Sequence, residues 1–106
     1  LDIDPQALAL ARETLAPYGP RVTLTQASFA SLLDAMRGIG WSTVDGIVLD
    51  LGVSSMQLDM RERGFSFQHE APLDMRFDPA AALTAADLVN ETPESELAEI
   101  LFRYYL

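Results

Sequence analysis

VDGIVLDLGVSSMQLDMRERGFSF, running from Val44 to Phe67, is the stretch whose reading decides the fold. Ile47, Val48 and Leu49 are consecutive and apolar, the pattern of a strand buried on both faces in a parallel sheet covered by helices. The chain then turns polar at Asp50 and passes Gly52, Ser54, Ser55 and Gln57 before reaching Arg61, Arg63, Phe65 and Phe67 around Gly64. A carboxylate directly after an apolar strand costs free energy to bury unless something hydrogen-bonds to it. Asp50 therefore either caps the next turn or faces a ligand.

Upstream of this stretch, Asp4 followed by Pro5 is an N-cap with proline at the first helical position, and Leu8, Ala11 and Leu15 recur at helical spacing. Pro17, Gly19 and Pro20 end that helix, and Arg21 to Thr25 reads as a short strand. A second helix is expected after Phe29, closed by Gly38 to Gly40, before the Val44 to Leu49 strand. The alternation predicts an α/β fold, part of a doubly wound sheet whose ligands lie beyond the carboxyl ends of the strands. Downstream, Thr84 with Asp87 forms a capping-box pattern, and Thr92 and Pro93 open a further helix carrying Leu97, Ile100, Leu101 and Tyr104 on one stripe. The expected division is thus a partial α/β domain over 1–83 and the start of a helical insertion over 84–106.

With 106 residues, 49% of them hydrophobic, the chain suffices for one small globular domain rather than a disordered segment. No apolar run approaches the ~20 residues that span a bilayer, and the LDIDPQ start lacks the regions of a signal peptide. The expectation is a cytoplasmic protein with no membrane partner. Cysteine is absent and His69 is the only histidine, which excludes thiolate and histidine-cluster metal sites. The net charge of -9 opposes a simple nucleic-acid binder, yet Arg61, Arg63 and Arg76 lie close together and can form a local basic patch.

Several residues could carry chemistry, each with a plainer alternative. Asp2, at a strand end, could accept hydrogen bonds from ribose hydroxyls, or could join Asp4 in serving the helix N-terminus. Phe29 could stack on a purine, or could pack as core beneath the following helix. Ser54, Ser55 and Gln57 add uncharged donors and acceptors beside Asp50, a set suited to a polar organic ligand rather than a metal. Arg61, Arg63, Phe65 and Phe67 interleave cations and aromatics around Gly64, as a surface that binds phosphates and stacks bases does. They could equally form a hairpin with both phenylalanines inward and both arginines solvated. Arg76, in PLDMRF, carries the same ambiguity.

Together these motifs are more specific than any one alone. DLGVSS-x-QLD-x-x-x-RGFSF, followed by PLDMRF-DP and preceded by DIDP with its alanine-rich helix, resembles the bacterial 16S rRNA cytosine-N4 methyltransferases of the RsmH (MraW) family. The resemblance runs from Asp2 to about Ile100. It implies a Rossmann-like class I methyltransferase fold. The implied reaction is transfer of a methyl group from S-adenosyl-L-methionine to the exocyclic amine of a P-site cytidine in the small ribosomal subunit. It further implies that Asp2, Phe29, Asp50 and Gln57 contact the cofactor and that Arg61, Arg63, Phe65, Phe67 and Arg76 face RNA. Asp50 or an oxygen at Ser54 would be the catalytic acceptor, with no metal.

Met56 stands where the family usually has proline, Phe77 where it has a second methionine, and LFRYYL leaves the pattern after Arg103. The family's glycine-rich cofactor loop would lie upstream of Leu1, and its sheet order 3-2-1-4 would place two strands between Val22–Thr25 and Val44–Leu49. The expectation is an internal fragment, inactive alone, with the oligomeric state, a dimer included, left open. Two alternatives compete with it: a non-catalytic truncated or domain-swapped interaction module, and a fragment of an NAD-dependent oxidoreductase, which Asp2 would serve equally well.

Overall fold

The computed structural model describes residues 1–105, so that Leu106, the end of the expected 84–106 segment, lies outside the described residues. The chain divides into two units, one of Leu1–Asp50 with Phe77–Pro79 and one of Leu51–Arg76 with Ala80–Leu106.

In the first unit, helix α1 spans Pro5–Leu15. Asp4 caps it through its carboxylate, which accepts from the Gln6 N–H at 2.9 Å, and Pro5 sits where its missing N–H goes unneeded. Asp4 is completely buried, and Leu8 is the one buried hydrophobic residue among the described residues. Ser28 begins a single 3₁₀ turn over Phe29–Ser31, which continues into helix α2, Leu32–Gly38. The extended residues before each helix meet at one point. Asp2 and Gln26 form a parallel bridge, in which the Asp2 N–H donates to the Thr25 carbonyl at 3.2 Å and the Ala27 N–H to the Asp2 carbonyl at 2.9 Å.

In the second unit, helix α3 spans Ser55–Asp59 and opens on a reciprocal capping box between Ser54 and Gln57. A 3₁₀ turn over Arg61–Arg63 ends at Gly64, whose φ of 68° is left-handed. The chain returns to this point after a loop, where the Met75 N–H donates to the Arg63 carbonyl at 3.0 Å. Helix α4, Ala85–Glu91, has the capping box foreseen for Thr84 and Asp87. Its first two N–H groups are satisfied from the returning segment, Ala85 by the Asp74 carbonyl and Ala86 by the Leu73 carbonyl, each at 2.8 Å. Helix α5, Glu94–Tyr105, carries Glu94 and Glu96 in its first turn, where the helix dipole favours negative charge.

The expected α/β sheet is not formed. Among the described residues the Asp2–Gln26 bridge is the only strand-like pairing, and the structure is helical with irregular connections. This overturns the doubly wound, Rossmann-like assignment and the Arg21–Thr25 and Val44–Leu49 strands. The physical reason is that a strand, unlike a helix, satisfies its backbone through neighbours. Residues 44–50 have no ladder partner among the described residues, and Ile47, Val48 and Leu49 stay 59%, 93% and 62% exposed. Apolar spacing alone could not show whether a partner was present.

The chain exposes 8521 Å². A folded monomer of 11.6 kDa exposes roughly 5,800 Å², and two separate folded bodies of half that mass together roughly 7,000 Å². Burial is therefore too sparse for a cooperative core. The 106-residue chain by itself should show helical circular dichroism, bind a hydrophobic dye, and lose its helix gradually in urea. A sharp two-state transition without dye binding would contradict this.

Candidate functional site

The residues singled out in the sequence fall into two groups, one in each unit. In the first unit the parallel bridge holds Asp2 beside Gln26, so Asp2 and the Ser28–Phe29 turn follow the same pair of extended segments. Asp2 Oδ1 accepts from the Asp4 N–H at 2.8 Å, and so supports the residue that caps α1. The Asp2 side chain is nevertheless exposed, as is the Phe29 ring at 59%. Phe29 is thus not the core residue of the plainer alternative. Asp50 is exposed at the end of the irregular 44–50 segment, and its carboxylate has no partner among the described residues. The cost of burying it, which had marked it out in the sequence, does not arise here.

In the second unit Ser54 and Gln57 bind each other. The Ser54 N–H donates to Gln57 Oε1 at 3.0 Å and the Gln57 N–H to Ser54 Oγ at 3.2 Å. Gln57 is buried, which the sequence could have signalled, since Ser-x-x-Gln is the capping-box spacing. Just before it, Gly52 has a φ of 136°, a backbone conformation that a side chain would strain.

The arginines and phenylalanines divide between inside and outside, which is not the hairpin of the plainer alternative. Arg63 is buried, and its Nη2 donates to the Arg76 carbonyl at 3.0 Å. Its guanidinium carbon lies 5.8 Å from the centre of the half-buried Phe65 ring, within cation–π range. Phe67, by contrast, is 98% exposed. The hairpin alternative had put the aromatics in and the arginines out; here one arginine is in and one aromatic is out. Arg61 is exposed, and its guanidinium has no partner among the described residues.

Arg76 is gripped by Asp74. Nε donates to Oδ1 at 2.9 Å and Nη2 to Oδ2 at 2.7 Å, a two-pronged pairing, while Nη1 donates to the Ala81 carbonyl at 2.7 Å. Asp74 also accepts from the Arg76 N–H at 3.0 Å. Sequence reading missed Asp74, although an acid two residues before an arginine in a turn-prone PLDMR is a usable signal. It missed Met75 as well, whose φ of 58° has no sequence signature. Gly64 packs on the same place: a Cβ there would lie 2.3 Å from the Pro72 carbonyl oxygen and 2.8 Å from the Asp74 nitrogen.

Hydrogen bonds from the Arg76 side chain and backbone lower the Asp74 pKa from 3.8 to about 2. Hydrogen bonds from Thr84 lower that of Asp87. A depressed carboxylate stabilises the fold above its unfolded pKa, and that contribution is lost as pH falls through the folded one. The returning segment should therefore stay protected from amide exchange at pH 5 and loosen between about pH 4 and about pH 2, most clearly at Met75, Arg76 and Ala85. Asp74→Asn should remove most of this acid step; an unchanged step in that variant would show that the pairing does not hold the segment.

A family model described as the MraW methylase family matches residues 1–105. The chain is 55% identical over 103 residues to the Ribosomal RNA small subunit methyltransferase H of Geotalea daltonii (strain DSM 22248 / JCM 15807 / FRC-32), covering 97% of this chain and 33% of that protein. It is 52% identical over 103 residues to the protein of that name from Geotalea uraniireducens (strain Rf4), with the same coverage of each. With the one from Mycobacterium avium (strain 104) it shares 52% identity over 107 residues, 98% of this chain and 28% of that protein. The chain spans about a third of the length of the curated relatives it matches.

Proposed function

The chain belongs to the MraW methylase family, and on that premise we propose that it is part of an S-adenosyl-L-methionine-dependent enzyme that methylates N4 of a P-site cytidine in 16S rRNA of the small ribosomal subunit. The observation that carries this reading is the 52–55% identity, over 97% of the chain, to proteins named Ribosomal RNA small subunit methyltransferase H. Because the match covers about a third of those proteins, the 106 residues are proposed to contribute to the reaction rather than perform it alone. No described helix is long and apolar enough to cross a membrane. On the proposed reading the enzyme meets its ribosomal substrate in the cytoplasm.

The side chains of the first unit suit the methyl donor. An exposed carboxylate at Asp2 can accept from ribose hydroxyls, and an exposed ring at Phe29 can stack on adenine. When bound, the donor supplies an electrophilic methyl group on sulfur. Cytosine N4 is a poor nucleophile because its lone pair is delocalised into the ring, so an acceptor on its N–H assists by orienting the amine and removing its proton. Asp50 takes this role in our reading, because its carboxylate is exposed and without a partner among the described residues, whereas Ser54 Oγ is engaged in the capping box. Gln57 acts by holding that box closed. Arg61 and Phe67 are the exposed cation and aromatic offered to RNA, while Arg63, Phe65 and Arg76 hold the segment that carries them.

The test is made in the full-length protein, with mass spectrometry of nucleosides from methylated small subunits. Wild type should yield N4-methylcytidine. Asp50→Asn should lower kcat by about 10²–10⁴, the range for loss of a general base, and Asp2→Ala should raise the KM for the methyl donor. Methylation at a ring carbon, or an Asp50→Asn variant with unchanged kcat, would defeat the corresponding assignment.

A further inference from the structure

Arg63 and Arg76 look in the sequence like RNA-contacting cations, yet the guanidinium of each is bonded to the protein's own chain. Arg63 is buried, with its guanidinium on the Arg76 carbonyl and the Phe65 ring. Arg76 spends its guanidinium on Asp74 and the Ala81 carbonyl. Between them, residues 64–74 leave and return through one neck, where the Met75 N–H meets the Arg63 carbonyl and Gly64 sits against the backbone of Pro72 and Asp74. This is the form of an Ω-loop, a surface loop of about 6–16 residues whose ends are close.

Two observations indicate that the neck serves what the loop displays. Phe67 is 98% exposed, whereas burying such a ring would be favourable. Met75, in the neck itself, holds a left-handed φ of 58°, a strained conformation for a residue with a side chain that persists only where the surroundings over-determine it. The fork of Arg76 and the buried Arg63 supply that determination.

We propose that Arg63 and Arg76 are positioning residues, which close the 64–74 loop so that Phe67 is presented to an unpaired base of the RNA substrate. The proposal rests on the reading above that the substrate is RNA. Loop closure before binding removes an ordering cost that a free loop would meet on contact, and base–aromatic stacking then adds affinity without reading sequence.

The experiment uses the full-length protein and a fluorescein-labelled single-stranded RNA carrying the target cytidine, with affinity read by anisotropy at several salt concentrations. Methyl-donor affinity is measured by calorimetry on the same preparations. Phe67→Ala should weaken RNA binding about tenfold or more. Arg76→Lys keeps the charge but loses the fork. It should therefore weaken RNA binding comparably, with donor affinity and the slope of log affinity against log salt unchanged. The double variant Phe67→Ala with Arg76→Lys should bind no worse than Phe67→Ala alone, because Arg76 acts through Phe67.

The proposal is overturned if Arg76→Lys binds RNA like wild type, or if its salt slope falls by about one unit, the mark of a lost phosphate contact. It is equally overturned if the two losses multiply, or if Arg76→Lys loses donor binding too, which would mean a general structural role. Wild type that neither binds nor methylates RNA would remove the underlying reading as well. Methylation by wild type together with an unaffected Phe67→Ala would remove this inference alone.

Discussion

A buried guanidinium must find partners for its donors, because leaving a cation unpaired away from water is among the most costly arrangements in a protein. Arg63 meets that constraint with the carbonyl of Arg76 and the face of Phe65, and so brings back a segment thirteen residues further along the chain. The second unit is organised around that return. Gly64 has no side chain because the backbone of Pro72 and Asp74 occupies its space. Asp74 holds Arg76, and the carbonyls of Leu73 and Asp74 receive the first donors of α4. Loop, ion pair and helix start are one hydrogen-bonded assembly, with little hydrophobic burial behind it.

The first unit depends on the same economy. Asp2 holds the N–H of Asp4, Asp4 holds that of Gln6, and the bridge to Gln26 ties this turn to the residues before α2. Capping by Asp4, Ser54 and Thr84 is local chemistry, satisfied within three residues. That explains how defined helices persist in a chain whose buried hydrophobic residues, among those described, come down to Leu8. It also explains why the exposed candidates Asp2 and Phe29 sit at well-formed turns without a core beneath them.

Legibility followed the range of the interaction. Helices α1, α2, α4 and α5 were foreseen, since Asp4-Pro5, the apolar spacing after Phe29, Thr84 with Asp87, and Thr92-Pro93 each encode a start within a few residues. Helix α3 was not foreseen as a helix, although Ser54 and Gln57 stand at capping-box spacing and were read as ligand groups instead. The Val44–Leu49 strand failed for the opposite reason. Its apolar run specifies only that a neighbour is wanted, and whether one is there depends on residues elsewhere. Family membership was legible, because the motifs DIDP, DLGVSS, RGFSF and PLDMRF are local strings whose combination is rarely met by chance.

What the sequence by itself determined is where helices start and stop and which family the chain belongs to, both of them matters of residue order over short distances. Only the tertiary structure decided that the stretch from Val44 to Leu49 lies open rather than paired, that Arg63 binds the Arg76 carbonyl while Arg76 binds Asp74 and the Ala81 carbonyl, and that Phe67 stands outside. Each of these depends on which groups meet across many residues. The strength of a guanidinium or a phenyl ring as a ligand group is the same in either position, so its residue type could not tell an arginine that binds its own chain from one that waits for RNA.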